Sequence, residues 1–272
     1  MKHAYLILAH NEFEMLQRLL DQLDHPSNDV FVHIDAKVAR LPELSMRQGR
    51  LSLLPNRIET YWGDISLVKA EFLLMDAALA SGPYEYYHII SGTHFPLLGV
   101  EAIRARFDSF NGKSVLQRAE SFPGEIRMKL GKYHYFIKNQ NRWKNIAWRA
   151  LLRIQDLLPG RNTAHLAGKA SQWCSLCHQD VSALVKNEPA LLHLFRRTFC
   201  CDEFFMPAAL TSLGIQFVWD DHLLFLSFNK ASPVFLKDDD LDRILHSGCI
   251  FARKFNKDSF QLIDRICKDM HT

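Results

Sequence analysis

The fold of this chain is decided by residues 1–37, MKHAYLILAHNEFEMLQRLLDQLDHPSNDVFVHIDAK. An apolar run at 4–9 ends on a histidine and an asparagine, and a second apolar run at 30–32 ends on the polar stretch 33–37. Between them, apolar residues recur at helical spacing over 13–23. This order predicts strand, helix and strand in an α/β sheet, where ligands bind just outside the carboxyl ends of the strands. The chain therefore opens with a predicted small-molecule site.

The composition favours one large α/β domain. The chain has 272 residues, 48% of them hydrophobic, which allows a sizeable core. Its formal net charge of +3 is too small to indicate nucleic acid, but it permits a basic face that meets phosphate or an anionic membrane. No apolar run approaches the roughly 20 residues that span a bilayer, and the start lacks the parts of a signal peptide. We therefore expect a cytoplasmic protein.

The six cysteines do not form a recognisable zinc motif. They are Cys174, Cys177, Cys200, Cys201, Cys249 and Cys267. The first two form a single CxxC, but a zinc site needs about four ligands and the adjacent pair at 200–201 does not complete one. The sequence therefore predicts small buried or half-buried thiols in a reducing compartment.

Alternating strands and helices continue after the opening stretch and predict a mostly parallel sheet flanked by helices. The predicted strands are 51–54, 86–90, 114–117, 171–176, 215–219, 223–228 and 250–255. The predicted helices are 65–80, 100–107, 151–158, 178–187, 202–212, 238–246 and 258–270. Residues 121–168 are instead rich in basic and aromatic residues, which predicts a mobile or ligand-covering insertion rather than core. Such a segment suits a glycan or a nucleotide as well as nucleic acid.

The usual phosphate-binding and nucleophile motifs are absent. There is no GxGxxG after the first strand, no Walker sequence and no GxSxG elbow. His33 stands two residues before Asp35, so there is no Asp-x-Asp pair either. Two interpretations of His10, His33 and Asp35 stay open: a metal site between neighbouring strands, or structural hydrogen bonds at the edge of the sheet.

Two charged pairs stand later in the chain. Asp202 is a predicted N-cap of the helix that follows, and Glu203 in the first turn has either a structural role or, in a pocket, that of a general base. Arg253 and Lys254 sit within an apolar strand, where neighbours point to opposite faces, so only one is expected in a given site. A cation there suits a departing diphosphate, although an ordinary solvated pair is the alternative.

Seven segments, in order along nearly the whole chain, resemble glycosyltransferase family 14. They are 4–10, 32–37, 62–68, 88–97, 171–173, 202–203 and 251–255. This family includes the core-2 and I-branching β-1,6-N-acetylglucosaminyltransferases and the peptide O-xylosyltransferases. The resemblance implies a GT-A-type fold, a UDP-sugar donor, inversion at the anomeric carbon and no divalent metal or other cofactor. It also implies a single domain over 1–272, with a nucleotide-binding half at 1–118 and an acceptor-binding, catalytic half at 119–272.

By the same resemblance, Asp35 contacts the uracil or ribose, Glu203 is the catalytic base and Lys254 binds the diphosphate. Other residues assigned to the donor are Leu8, His10, Trp62, Arg253 and Lys230. Residues assigned to the acceptor are Glu125, Arg127, Ser91, Gly92 and Trp173. The family uses a second basic residue, an arginine, on the diphosphate. The corresponding stretch 223–230 contains none, so Arg253 or Lys230 is expected to replace it.

The expected function is transfer of a sugar, N-acetylglucosamine, from a UDP-sugar to a hydroxyl of a glycan. The chain resembles a bacterial catalytic domain, so the expected acceptor is a surface polysaccharide or lipopolysaccharide, with peripheral contact at the inner membrane. Alternatives are a xylosyl- or glucosyltransferase of the same fold, a non-catalytic sugar- or nucleotide-binding relative, and a metal hydrolase built on His10, His33 and Asp35. No nucleic-acid partner is expected.

Overall fold

A computed structural model describes residues 1–122, 124–135, 137–138, 142–161, 168–229 and 232–270. The strands are β1 (His3–Ala9), β2 (Asn28–Ile34), β3 (Arg50–Leu53), β4 (Tyr86–Ser91), β5 (His94–Pro96), β6 (Val115–Arg118), β7 (Ala170–Cys177), β8 (Val218–Trp219), β9 (Leu224–Leu226), β10 (Phe228–Asn229), β11 (Ser232–Pro233) and β12 (Phe251–Arg253). The helices are α1 (Phe13–Leu23), α2 (Ser66–Leu79), α3 (Val100–Asp108), α4 (Glu125–Lys129), α5 (Arg142–Gln155), α6 (His178–Lys186), α7 (Glu188–Leu194), α8 (Asp202–Ser212), α9 (Leu241–Leu245) and α10 (Phe260–Asp269).

The centre of the fold is a seven-stranded sheet in the order β3-β2-β1-β4-β7-β6-β8. Pairing is parallel from β3 to β4 and between β6 and β8, while β7 runs antiparallel to both its neighbours. Every residue of β1, β2 and β4 is buried, which explains why these strands are continuous apolar runs in the sequence. The predicted α/β class, with a mostly parallel sheet flanked by helices, is confirmed.

The helices next to the central strands bury the faces that their periodicity predicts. Of the six apolar residues in α1, Phe13 is half-buried and the other five are fully buried. These five are Met15, Leu16, Leu19, Leu20 and Leu23. Helix α2 packs on β1, β2 and α8, and it buries Val68, Phe72 and Met75 together with the carboxyl group of Glu71. Burial of an acidic side chain in this helix has consequences for the site described below.

A small second sheet, in the order β5-β12-β9, lies against the end of β4. Arg253 is the last residue of β12, and it pairs with His94 on β5 and Leu226 on β9. Two residues later, the backbone N–H of Phe255 donates to the carbonyl of Thr93 at 3.0 Å. This sheet therefore carries the C-terminal Arg-Lys pair to the carboxyl end of the central strands.

Several predicted boundaries are wrong. The predicted strand 223–228 is divided into β9 and β10, and of 215–219 only the last two residues pair, as β8. The predicted helix 151–158 is the end of a longer helix, α5, which ends at Gln155. Segment 121–168 is also not wholly outside the core, because Leu130 and His134 are buried. Backbone hydrogen bonds hold this part in place, including one from Arg161 N–H to the Gly131 carbonyl at 3.0 Å.

The cysteines are as predicted. Five are buried, Cys267 is half-buried, and all six are free thiols. Burial raises the pKa of the Cys200 thiol to about 12, so it stays protonated at neutral pH. Within the described ranges, no helix has the length and apolar character needed to cross a membrane. The predicted division into halves at residues 118 and 119 stays a prediction.

Candidate active site

The site lies at the carboxyl ends of β1 and β4, an edge of the sheet that we call the crevice. Strand order reverses between these two strands, because β2 and β3 lie on one side of β1 and β4 lies on the other. Open α/β sheets bind ligands at such a switch point. Leu8 near the end of β1 pairs with Ser91 at the end of β4, and the Gly92 N–H donates to the Leu8 carbonyl at 3.0 Å. His10 is exposed just beyond β1. Four of the predicted site residues therefore converge here.

Asp35 lies beside the crevice at the end of β2, and its carboxylate is held by the chain itself. One oxygen accepts from the Lys37 N–H at 2.8 Å; the other accepts from the N–H of Thr60 at 3.1 Å and from the Thr60 hydroxyl. Burial by itself would raise the pKa of Asp35, but these hydrogen bonds outweigh it and lower the pKa. The side chain is 4% exposed. Only a narrow edge of an ionised carboxylate is thus left for a ligand.

Trp62 extends from the loop that Asp35 anchors. Its side chain is 71% exposed, and its ring meets the ring of Phe199 edge-on at a centroid distance of 5.3 Å. The N–H of Cys200 donates to the Gly63 carbonyl at 2.8 Å. Gly63 has a φ of +73°, and a Cβ on it would lie 2.6 Å from the Phe199 ring, so the contact between the two loops requires glycine. The exposed indole at the rim is available to stack on a flat ligand.

Arg253 brings positive charge to the crevice. Its guanidinium lies over the Trp173 ring at 4.9 Å, and its Nε donates to the Ser91 hydroxyl at 3.4 Å. Burial lowers the pKa of Arg253 to about 10, so it remains charged at neutral pH. The Trp173 ring also meets His94 edge-on at 4.8 Å. Burial, and after it the charge of Arg253, hold the pKa of His94 well below its usual range. Ser91 and Trp173, both assigned to the acceptor, thus contact the predicted diphosphate cation.

Lys254 supplies a second cation, and in the described part of the chain neither it nor Arg253 pairs with a carboxylate. Its ammonium lies 4.7 Å from the centre of the Phe235 ring. Burial lowers the pKa of Lys254, and the neighbouring arginine lowers it further. The pKa of His10 is lowered by burial and by the charges of both cations. Strand β12 ends at Arg253, so Lys254 is not part of the strand. The alternation of strand side chains therefore does not place these two cations on opposite faces, and the expectation that only one of them enters the site does not apply.

A second group of charges surrounds Glu203, in the first turn of α8. Its Oε2 accepts from the Lys129 ammonium at 2.5 Å and lies 3.6 Å from the Lys169 ammonium. Glu125 is 2.7 Å from Lys129 and 3.0 Å from Lys169. Glu203 is 33% exposed, whereas the side chains of the other three are 10–11% exposed. This four-residue network holds Glu203 at the edge of the protein with a carboxylate oxygen left for a partner.

The two lysines determine the charge state of the network. Burial by itself would raise the pKa of Glu125, but hydrogen bonds from Lys129 and Lys169 outweigh it and lower the pKa to about 2. Burial would lower the pKa of Lys129, but its bonds to Glu125 and Glu203 raise it. The charges of two carboxylates and two ammonium groups balance. The carboxylate of Glu125, a residue assigned to the acceptor, is thus already bound by two lysines of the protein.

Two predicted site residues remain: one lies away from Glu203, and the other is outside the described residues. Arg127 lies on α4, and its side chain is 73% exposed. Its guanidinium lies 3.8 Å from the carboxylate of Asp156 and does not join the network around Glu203. Lys230 lies outside the described residues. Of the two replacements considered for the family's second diphosphate cation, only Arg253 is therefore placed at the crevice.

The alternative metal site is not formed. His33 is buried on β2, and its Nε2 accepts from the backbone N–H of Ile58 at 3.1 Å. The Asp35 carboxylate is occupied by Thr60 and Lys37 as described. Nowhere in the described ranges do three His, Cys, Asp or Glu side chains converge to hold an ion. The interpretation of His33 and Asp35 as structural hydrogen-bonding groups is the one that the geometry supports.

Asp202 does not cap α8, so that prediction is wrong. The carbonyl of Cys201 already accepts from the Phe205 N–H at 2.7 Å, which makes Cys201 the N-cap and Asp202 the first helical residue. Asp202 instead turns inward. Its Oδ1 is buried with no partner in the described part of the chain, and burial and the charge of Glu203 raise its pKa to about 6.

Glu71 on α2 is a buried acidic residue on which the charge of Asp202 acts. It is 2% exposed, and one of its oxygens accepts from the Gln172 side chain at 2.8 Å. Burial, with the charge of Asp202, raises the pKa of Glu71 to about 8. Glu71 is therefore largely protonated when the protein is folded at neutral pH.

Replacing Glu71 with glutamine is expected to flatten the pH dependence of stability. A carboxyl whose pKa rises from 4.5 to about 8 on folding contributes stability below pH 4.5 that is lost as the pH rises through 8. The loss amounts to at most about 5 kcal/mol. Glutamine keeps the acceptor for Gln172 without this loss, so the variant should be the more stable protein at pH 8 and nearly equal at pH 5.

Urea unfolding at pH 5, 6.5 and 8 measures this effect. Glu43, an exposed carboxylate, provides the control, and Glu43→Gln should keep the wild-type slope of unfolding free energy against pH. If Glu71→Gln shows that same slope, Glu71 does not carry a raised pKa.

Comparison with known proteins identifies the family of this chain. The family described as Core-2/I-Branching enzyme matches residues 3–231. The chain belongs to this family. This membership confirms the predicted family, and the observed α/β fold is consistent with the predicted GT-A type.

Curated relatives are similar over a shorter stretch. A β-1,3-galactosyl-O-glycosyl-glycoprotein β-1,6-N-acetylglucosaminyltransferase 3 of Bos taurus is 25% identical over 144 residues, which cover 50% of this chain and 32% of that protein. The protein of the same name from Rattus norvegicus is 28% identical over 140 residues, 48% of this chain and 31% of the relative. The chain thus matches about a third of the length of these relatives.

Sequence reasoning missed the residues that hold the predicted ones in place. Lys129 was detectable, because it stands four residues after Glu125, a spacing at which opposite charges pair on a helix. Lys169 and Thr60 carried no such signal. Their partners are 34 and 25 positions away in sequence, and only the folded chain brings them together.

Proposed function

We propose that this chain transfers N-acetylglucosamine from a UDP-sugar to a hydroxyl of a glycan acceptor, with inversion and without a divalent metal. The observation that carries the proposal is the pair of cations at the crevice, Arg253 and Lys254, which have no carboxylate partner in the described part of the chain. Unpaired, half-buried cations are costly unless an anion joins them. A nucleotide diphosphate supplies that anion.

The uridine half of the donor lies on the β1–β4 crevice in this proposal. The remaining edge of Asp35 contacts the uracil or ribose, and Trp62 packs on the nucleotide from the rim. His10 lies near both parts of the donor site, since the charges of Asp35, Lys254, Lys37 and Arg253 all act on it. The diphosphate then reaches Arg253 and Lys254, which balance the charge that grows on the leaving group.

Glu203 is the proposed general base. The lysine contacts involve its Oε2, so Oε1 is left to accept the proton of an incoming acceptor hydroxyl. The acceptor oxygen attacks the anomeric carbon as the bond to UDP breaks, which inverts the configuration. Lys129 and Lys169 keep the carboxylate oriented throughout, in the manner of supporting residues at a preorganised site.

The sugar and the linkage rest on the relatives. Their names state β-1,6-N-acetylglucosaminyl transfer, and we extend that donor to this chain. A xylosyl- or glucosyltransferase of the same fold is the alternative within the class. The predictions of a bacterial surface polysaccharide as acceptor, and of contact with an inner membrane, stay predictions.

A donor panel followed by a transfer assay tests the proposal. Thermal shifts are measured with UDP, UDP-N-acetylglucosamine, UDP-xylose and UDP-glucose, since a ligand at 100 times its Kd stabilises the folded state by about 2.7 kcal/mol. UDP-N-acetylglucosamine should give the largest shift, and transfer should persist in excess EDTA. No shift with any uridine nucleotide, or activity that EDTA abolishes and manganese restores, would contradict it. A shift without transfer or donor hydrolysis would favour a non-catalytic binding protein.

A further inference from the structure

The outward side of α5 carries aliphatic side chains that no described residue covers. Ile146 is 51% exposed, Ile154 55%, Leu157 85% and Leu158 57%. The N–H of Leu157 donates to the Ile154 carbonyl at 3.0 Å, so the helical path continues past the last residue of α5. Single exposed aliphatic residues are ordinary. Residues 146, 150, 154 and 157 recur at helical spacing, however, and so form one stripe about 17 Å long. We call it the α5 stripe.

The opposite side of α5 is well packed, so the stripe is not a misplaced core face. The indole N–H of Trp148 donates to His134 at 3.3 Å, and the Trp148 ring lies 5.6 Å from that of Phe199. The Gln155 side chain bonds both the N–H and the carbonyl of Tyr133, at 2.7 and 2.9 Å. The helix is therefore fixed by its inner side and presents the stripe outward.

Arginines flank the α5 stripe. Arg149 and Arg153 are exposed one turn apart, and each stands three or four positions from a residue of the stripe. In the described ranges neither has a carboxylate within ion-pair distance. Asp156, the acidic residue nearby, is already bound by Lys132 at 2.6 Å and lies 3.8 Å from Arg127. The face thus combines exposed aliphatic groups with uncompensated positive charge.

We propose that this face docks the protein on an anionic lipid bilayer. Aliphatic side chains enter the boundary between headgroups and acyl chains, while the adjacent arginines meet lipid phosphates, as in other surface-bound amphipathic helices. A second copy of the chain fits less well. Symmetric pairing of this face with itself would bring the two arginine rows together with no acidic group between them.

Docking here would hold the active site close to the membrane. The inner residue Trp148 contacts Phe199, which in turn contacts Trp62 at the rim of the crevice. A bilayer against the outer side of α5 therefore lies one helix away from the site. The chemical class of acceptor that this favours is a glycan carried on a lipid. The docking itself goes beyond the proposed function and is tested without donor or acceptor.

Vesicle binding of the full chain tests the charge half of the proposal. Vesicles of phosphatidylcholine alone and with phosphatidylglycerol serve as probes, and binding is measured by flotation. Wild type should bind only the anionic vesicles, and less so at high salt. Arg149→Gln with Arg153→Gln should weaken binding roughly 30-fold. The control is Arg40→Gln with Arg47→Gln, which removes the same charge from exposed positions elsewhere and should change binding little.

A second pair of variants tests the apolar half. Ile154→Ser with Leu157→Ser should weaken binding at least ~10-fold, because two buried aliphatic groups are lost. The control, Leu41→Ser with Phe228→Ser, changes two side chains that are 47% and 58% exposed elsewhere. The proposal is overturned if wild type binds no anionic vesicle, if it binds neutral vesicles equally, or if the controls weaken binding as much. It is also overturned if sedimentation shows a dimer that only the α5 variants dissociate, which would make a second copy the occupant.

Discussion

Replacing Glu203 with glutamine is expected to lower turnover by roughly 10²–10⁴-fold, the usual effect of removing a general base. Glutamine retains an oxygen for the Lys129 ammonium, so the network around it should stay folded. It cannot take up the proton of the acceptor hydroxyl. The affinity for UDP should be unchanged, because the cations proposed to bind the diphosphate lie at the end of β12 and just after it, rather than on α8. Initial rates and UDP titrations of the purified variant measure both quantities.

The neighbouring carboxyl provides the control for this prediction. Asp202→Asn removes a charge one residue away, but Asp202 faces the interior, where its Oδ1 is buried. We expect this variant to retain turnover within about 10-fold of wild type, well short of the loss typical of a missing base. Near-normal transfer by Glu203→Gln, or an equal loss in both variants, would contradict the assignment of the base to Glu203.

Replacing Lys254 with methionine is expected to lower turnover by about 10²–10³-fold, similar to the loss of one preorganised group that stabilises developing charge. Methionine retains much of the packing against Phe235 but leaves Arg253 as the remaining cation of the pair. The affinity for UDP should fall as well, because the charge acts on the bound diphosphate and on the leaving group. Rates and UDP affinities at equal ionic strength test this, since screening by salt would otherwise obscure the difference.

Lys257 is the matched control for the lysine variant. It stands three residues further on, is exposed, and lies outside the crevice. Lys257→Met removes the same charge from the protein and should leave the rate and the affinity for UDP near those of wild type. If the two variants have the same rate and the same affinity for UDP, Lys254 does not bind the donor diphosphate.

The fold was largely predictable because its centre is encoded by local patterns. Strands β1, β2 and β4 are buried on both faces, so they are continuous apolar runs, and α1 shows a regular helical stripe. The wrong strand boundaries lie where strand pairing, rather than the local sequence pattern, determines where a strand ends. The stretch 223–228 is apolar except for Ser227, and it divides there because β9 pairs in the small sheet while β10 pairs antiparallel with β11.

The candidate site was predictable only in part. Residues that follow apolar strands, such as His10 and Asp35, stand out in sequence because strand ends meet at one edge of a sheet. Thr60, the partner of Asp35, and Lys169, a partner of Glu203, do not stand out in sequence, because both come from distant loops. Glu71 was also hidden, because an acidic residue in an amphipathic helix is ordinarily solvated, and its burial follows from the packing of α2 against α8. The assigned roles stay predictions.

Transfer of labelled N-acetylglucosamine from its UDP donor, in excess EDTA, tests the central claim most directly. Wild type and Glu203→Gln are incubated with an array of glycan acceptors, and the anomeric configuration of any product is determined by NMR. We expect a β-linked product from wild type, which means inversion of the donor's α configuration, and almost none from the variant. An α-linked product, equal product from both proteins, or product that appears only when manganese is added would contradict metal-free, inverting transfer with Glu203 as its base.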